Sequence, residues 1–287
     1  MQPIILVSAR QRVSSSVAVT ARWVRLVPML AALLCGCGHD EGEPADTKEA
    51  VDNTAWGDNV TITFGDGSFR FRSNGLPNHA LQAEYVMPDD FTPCVPHPTA
   101  DCSHIEPVNT AVQANSLDYT IPLTPQKVTE TFSLPFGAMG VMISGAPVYN
   151  PYEGDGTTVA MNANFTLTNT KGQEVAFMDS CSGHPSPHPA EQYHYHGLPN
   201  CVTAQVDDED GPSHIIGYGF DGFPIYGDRD IDGEPVDPAT LDECNGIESP
   251  TPEFPDGIYH YVMLDVPTVQ STIRCLHGKL LAPLPGS

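Results

Sequence analysis

Basic residues are scarce in this chain: 12 lysines and arginines stand against 36 aspartates and glutamates, for a formal charge of −24. So acidic a surface repels phosphate backbones and anionic headgroups, which argues against nucleic acid and anionic lipid as partners and favours cations. No Cys-x-x-Cys spacing occurs, so neither a zinc ribbon nor a thioredoxin-like site is expected. Gly-x-Ser-x-Gly, His-Glu-x-x-His and the P-loop are also absent, and with them the named catalytic machinery those patterns carry. Helical periodicity is thin, because 25 glycines and 28 prolines interrupt the chain too often for long helices.

What remains is a series of short apolar stretches rich in Val, Ile, Thr, Phe and Tyr. Strands are predicted at Val60–Phe64, Ser68–Arg72, Leu117–Ile121, Val128–Leu134, Gly140–Ile143, Ala163–Thr168, Glu191–His196, Ile215–Gly219 and Tyr259–Leu264. Thr61 and Thr63 alternate with Ile62 and Phe64, as in a sheet with one wet face, and Gly65-Asp66-Gly67 reads as a hairpin turn. Short helices are expected at Pro238–Cys244 and as a turn near Val159–Asn162. Brief strands at roughly ten-residue spacing imply a mainly β protein, a sandwich or open barrel with long disulfide-bridged loops.

The two ends of the chain differ in character. Residues 1–36 read as an export signal: Arg10, Arg12, Arg22 and Arg25 precede an apolar Leu26–Leu34 that is shorter than the ~20 residues of a membrane span. Leu34-Cys35-Gly36-Cys37 is similar to a bacterial lipobox, which makes Cys37 the expected lipidation site and the membrane a partner through a diacyl anchor. Gly38 stands where an aspartate often signals inner-membrane retention, so a cell-envelope, outer-membrane lipoprotein facing the periplasm or the exterior is expected. Removing this segment takes away four arginines and no acid. Residues 37–55 are acidic and poor in large apolar groups, the composition of a disordered tether. Residues 56–287 then form one domain.

Six further cysteines, Cys94, Cys102, Cys181, Cys201, Cys244 and Cys275, make an even count in an exported chain and point to disulfides. Fifteen full pairings are possible; Cys94–Cys102, Cys181–Cys201 and Cys244–Cys275 are favoured.

Chemistry concentrates in Tyr193-His194-Tyr195-His196. On an extended backbone residues two apart share a face, so His194 and His196 project together. Imidazole is the commonest transition-metal ligand, and with His260 of Tyr259-His260-Tyr261 as a third ligand the pattern predicts a copper or zinc site. Asp179, His184 or His188 would complete it, and tyrosine hydroxyls would orient the ligands. The competing reading is a core strand whose imidazoles are satisfied by backbone hydrogen bonds. Asp228, Asp230 and Asp232 precede Gly233 in the alternation of a calcium loop, but the twelfth position holds Ala239 rather than Glu, which removes the EF-hand. Asp221, in Phe220-Asp221-Gly222, is a candidate general base for a metal-dependent exported hydrolase or oxidoreductase, against a plain tight turn. A non-catalytic surface interaction module is the third class. The two Tyr-His-Tyr segments are also compatible with a degenerate internal duplication.

Asp179-Ser180-Cys181-Ser182-Gly183-His184, then Tyr193-His194-Tyr195-His196, then Ile216-Gly217-Tyr218-Gly219-Phe220-Asp221-Gly222-Phe223-Pro224-Ile225-Tyr226-Gly227 and Leu241-Asp242-Glu243-Cys244-Asn245-Gly246 with Tyr259-His260-Tyr261 resemble the YHYH domain family over about residues 141–278. In the resembling family the second block usually repeats Tyr-His-Tyr-His; here its fourth place is Val262. The resemblance implies the domain and carries no settled activity with it.

Overall fold

The computed structural model describes residues 45–88, 107–134, 137–154, 156–162, 167–169 and 171–284. The signal segment, Cys37 and the Cys94–Cys102 pairing lie outside the described residues.

In chain order, helix α1 (Lys48–Asn53) leads to the hairpin β1 (Val60–Phe64)–β2 (Ser68–Ser73), then the pair β3 (Tyr85–Pro88) and β4 (Pro107–Thr110). Strands β5 (Leu117–Pro122), β6 (Lys127–Phe132), β7 (Ala138–Met142), β8 (Pro147–Tyr149), β9 (Leu167–Thr168) and β10 (Glu174–Val175) follow. Next come β11 (Gly183–Pro185), β12 (Tyr193–Tyr195), the short helix α2 (Asn200–Thr203), β13 (Ile215–Gly219) and β14 (Pro224–Tyr226). The chain closes with β15 (Gly246–Ser249), β16 (Ile258–Val262) and β17 (Leu276–Gly278). Eight of these strands make one mixed sheet in the order β11-β12-β8-β7-β13-β14-β16-β15, and β1-β2-β5 make a second, antiparallel one.

Alternation in β2 explains how the two sheets meet. Phe69 and Phe71 are fully buried while Arg70 and Arg72 point out and pair with Asp118. The inward rings pack with Trp56 against Tyr218 of β13, Trp56 stacking on Tyr218 at 5.7 Å between centroids. The small sheet thus covers the middle of the large one, as in a sandwich, and no closed barrel forms among the described residues. Nor is any described helix long and apolar enough to cross a membrane.

Folded structure starts earlier than the expected tether boundary at residue 55. Val51 of α1 is fully buried, and Thr47 donates both its amide and its Oγ1 to the Leu123 carbonyl. Trp56 Nε1 donates to the Val51 carbonyl. One valine and one threonine, invisible in an acidic composition, are enough to dock this segment.

The large sheet is built twice over. Hairpin β7–β8 and hairpin β13–β14 meet edge to edge, with Gly217 opposite Met142, Tyr218 opposite Val141 and Gly219 opposite Gly140. That register places a local twofold between Val141 and Tyr218. Gly140 and Gly217, Gly145 and Gly222, Pro147 and Pro224, and Tyr149 and Tyr226 are each 77 residues apart. Outside each hairpin a Tyr-His-Tyr strand adds in parallel, β12 on β8 and β16 on β14, and an antiparallel edge strand, β11 or β15, completes each half. The two Tyr-His-Tyr segments therefore occupy equivalent places.

The turn ahead of each edge strand is duplicated too. Asp179 Oδ1 accepts from the Cys181 and Gly183 amides, and its Oδ2 from the Tyr193 hydroxyl at 2.8 Å. Asp242 does the same for Cys244, Gly246 and Tyr259. Gly183 and Gly246 are required here, because a Cβ would lie 2.2 and 1.9 Å from the respective tyrosine hydroxyl oxygens. The Cys181–Cys201 and Cys244–Cys275 disulfides both form, one in each half.

Candidate metal centre

Strand alternation in β12 sends Tyr193 and Tyr195 to one face and His194 to the other. His196 follows in the same phase, and β11 lays His184 directly opposite His194. The three imidazoles cluster, with ring centroids 4.6 Å apart for His184–His194, 5.1 Å for His184–His196 and 4.7 Å for His194–His196. One ligand atom from each lies within 4.8 Å of the others.

Hydrogen bonding decides which nitrogens face inward. His194 Nδ1 donates to the Gln192 carbonyl at 2.9 Å, and His196 Nδ1 donates to the Asn150 carbonyl at 2.6 Å. Each neutral ring then presents Nε2 as a lone pair, the tautomer that outer-shell carbonyls impose on metal-ligating histidines. His184 Nδ1 lies 3.2 Å from Met87 Sδ, and its buried Nε2 has no hydrogen-bond partner. Glu153 Oε1 stands 3.6 Å from His184 Nε2 and 4.0 Å from His196 Nε2. Tyr149 stacks on His194 at 3.9 Å and Phe177 packs on His184 at 4.5 Å, sealing the rings from water.

Burial sets the charge. Removal from water holds His184 and His196 well below the usual imidazole pKa, with neighbouring imidazoles adding to the effect; it takes His194 down to about 4, partly opposed by its bond to the Gln192 carbonyl. All three are neutral ligands at neutral pH. The competing reading from sequence accounts for half of what is seen: backbone carbonyls satisfy one nitrogen of His194 and of His196. It gives no partner to the inward lone pairs, which repel one another in a dry interior unless a cation lies between them. Bonds of about 2.0–2.1 Å to a tetrahedral ion require ligand nitrogens about 3.3 Å apart, a small contraction of the cluster.

Several expected ligands lie elsewhere. His260 does not join the cluster, because β8, β7, β13 and β14 intervene between β12 and β16, a separation of about 24 Å at the usual strand spacing. Its Nδ1 donates to the Ile258 carbonyl. Asp179 is turned to the tyrosine face, where Oδ2 also accepts from Tyr85. His188 is exposed beside Glu191, so of the three residues considered for completing the site, His184 does so. Met87, Tyr149 and Glu153 were not foreseen, since no local pattern marks them.

Asp228, Asp230 and Asp232 do not converge among the described residues. Asp230 Oδ1 instead accepts from the Asp232 and Glu234 amides, closing an acidic turn. Asp221 is fully buried and accepts from the Tyr261 hydroxyl and the Gly278 amide, and burial lifts its pKa to about 6. Its counterpart 77 residues earlier, Ser144, meets the Tyr195 hydroxyl in the same way at 2.9 Å, so Asp221 anchors a tyrosine rather than facing the histidine cluster. Two other convergent groups, His79 with Cys181 and Cys201, and Asp242 with Cys244 and His277, have their sulfurs locked in disulfides.

Neither the curated proteins nor the solved structures compared with the chain match it. The sequence model of the YHYH protein family matches residues 118–237 and 231–278, a span that begins in β5 and takes in the histidine cluster, both Tyr-His-Tyr strands and both disulfides. On that match, which extends over more than half of its length, the chain belongs to the YHYH family.

Proposed function

We propose that this protein binds one transition-metal ion, copper or zinc, through Nε2 of His184, His194 and His196, with the Glu153 carboxylate beside them. The observation that carries the reading is three inward lone pairs on buried neutral imidazoles, one of them without any hydrogen-bond partner. Imidazole-rich sites without free thiolate suit both ions, and copper stands above zinc in the divalent affinity order. His184, His194, His196 and Glu153 are all less than 5 % exposed. So enclosed a site favours holding an ion for sequestration, sensing or delivery over turning over a substrate. The arginine-rich leader and Cys37 support placing it on an envelope membrane, displayed by a lipid anchor.

Titration of the metal-free protein with Cu(II) and Zn(II), followed by calorimetry, tests this. Binding of one equivalent tighter than about 10 µM is expected, weakened at least ~100-fold by His196→Ala, in line with the loss of a ligand or its support. Unchanged binding in both His194→Ala and His196→Ala, or none in the native protein, overturns it. Palmitate labelling that survives Cys37→Ala would overturn the anchor.

A further inference from the structure

The two halves of the large sheet superpose their chemistry as well as their strands. In the second half, Ile247 pairs with His260 as His184 pairs with His194, and Val262 follows Tyr261 as His196 follows Tyr195. The carboxylate has a counterpart as well. Glu153 and Asp230 are 77 residues apart and begin matching turns: Glu153 N donates to Thr158 O and Asp230 N to Glu234 O, while Gly156 and Gly233 both take positive φ and donate back to the first residue of the turn. Isolated bridges flank both turns, Tyr152 with Val159 and Arg229 with Pro235. The apparent calcium loop is thus the second copy of the turn that carries Glu153.

A cavity of about 360 Å³ lies where the second centre would be, and its walls include Tyr226, Gly227, Asp230, Ile247, His260 and Val262. These are the counterparts of Tyr149, Asn150, Glu153, His184, His194 and His196. His260 keeps the orientation of its twin, Nδ1 donating to Ile258 O at 2.9 Å as His194 does to Gln192 O. Tyr226 lies against it at 4.9 Å. The Gly227 carbonyl occupies the place of the Asn150 carbonyl that orients His196.

We infer that the second half is a vacated copy of the metal centre, and that Ile247 and Val262 are the residues confining metal to the first half. The inference rests on the metal reading of His184, His194 and His196. Replacing two imidazoles by aliphatic side chains removes two of three ligands while keeping the fold, and the space they would share with an ion becomes the cavity. One imidazole and an exposed carboxylate are too few ligands for a tight transition-metal site.

The test restores the missing ligands in the full chain. Ile247→His/Val262→His is expected to raise bound Zn(II) or Cu(II) from about one to about two equivalents, whereas Ile247→Asn/Val262→Asn remains at one. The same pair of histidine substitutions on a His194→Ala/His196→Ala background is expected to hold about one equivalent. If the native chain loads one equivalent and this combination loads none, the inference is overturned and the first-half site stands. If the native chain loads none but the double variant loads one, the inference stands and the first-half reading falls. Zero in both overturns both. Loading of the first site in the double variant reports that it has folded. Should it not fold, Val262→His alone is expected to add a second Cu(II) resonance with two nitrogen ligands; a single resonance overturns the inference.

Discussion

Acidification of the metal-free protein should separate the buried histidines from the rest of the fold. An imidazole whose folded pKa is depressed stabilises the native state above its unfolded value, near 6.5, and that stability is lost as pH falls toward the folded pKa. For His194, held at about 4 chiefly by burial, moving from pH 7 to 4.5 spans roughly two units below the unfolded value and costs about 3 kcal/mol at 1.36 kcal/mol per unit. His184 and His196 are shifted the same way. Asp221 opposes them: its pKa is raised to about 6 by burial, so protonation in the native state returns about 2 kcal/mol over the same interval. The net expected outcome is lower stability at pH 4.5. Urea unfolding with chelator present, followed by the fluorescence of Trp56, gives the free energy at each pH. His194→Gln should lose about 3 kcal/mol less than the native protein between pH 7 and 4.5, whatever its own stability at pH 7. Parallel pH dependences in the two proteins would refute the assignment of His194 as a buried neutral imidazole.

Breaking Cys181–Cys201 by Cys181→Ser/Cys201→Ser should cost about 3 kcal/mol, from loop entropy over a separation of 20 residues, read as a urea midpoint shift; because the bridge ties the turn before β11 to α2, metal affinity should fall as well. The longer Cys244–Cys275 loop, 31 residues, should cost about 4 kcal/mol when opened without altering metal affinity. Tyr193→Phe removes a hydroxyl from the buried Asp179 carboxylate and should cost about 2 kcal/mol, with His194 still able to bind metal. Val51→Ala should cost about 1–2 kcal/mol by thermal melting; no change would mean that α1 does not contribute to the core.

Much was legible in the chain itself. Alternation of Thr61, Ile62 and Thr63, and of Phe69 with Arg70, fixes β1 and β2 almost to the residue, since a period of two has one meaning on a half-buried strand. Glycine and proline punctuation excluded long helices, and spacing correctly paired Cys181 with Cys201 and Cys244 with Cys275. The phase of Tyr193-His194-Tyr195-His196 put His194 and His196 on one face. Very short strands such as β8, β11 and β15 escaped notice because three or four residues carry no period, and α1 escaped because its one buried apolar residue, Val51, sits in an acidic segment.

Which third imidazole joins the pair was beyond local pattern. His260 has the stronger motif, yet it lies in the opposite half of an eight-stranded sheet, while His184 sits opposite His194 through strand pairing that its Pro-rich context hides. Glu153 entered only because a turn 77 residues before Asp230 folds back over the cluster. Local periodicity is set by the geometry of one strand and can be read from the chain. Convergence of side chains is set by sheet order and register, which arise from the packing of distant segments, and only the tertiary structure decided it.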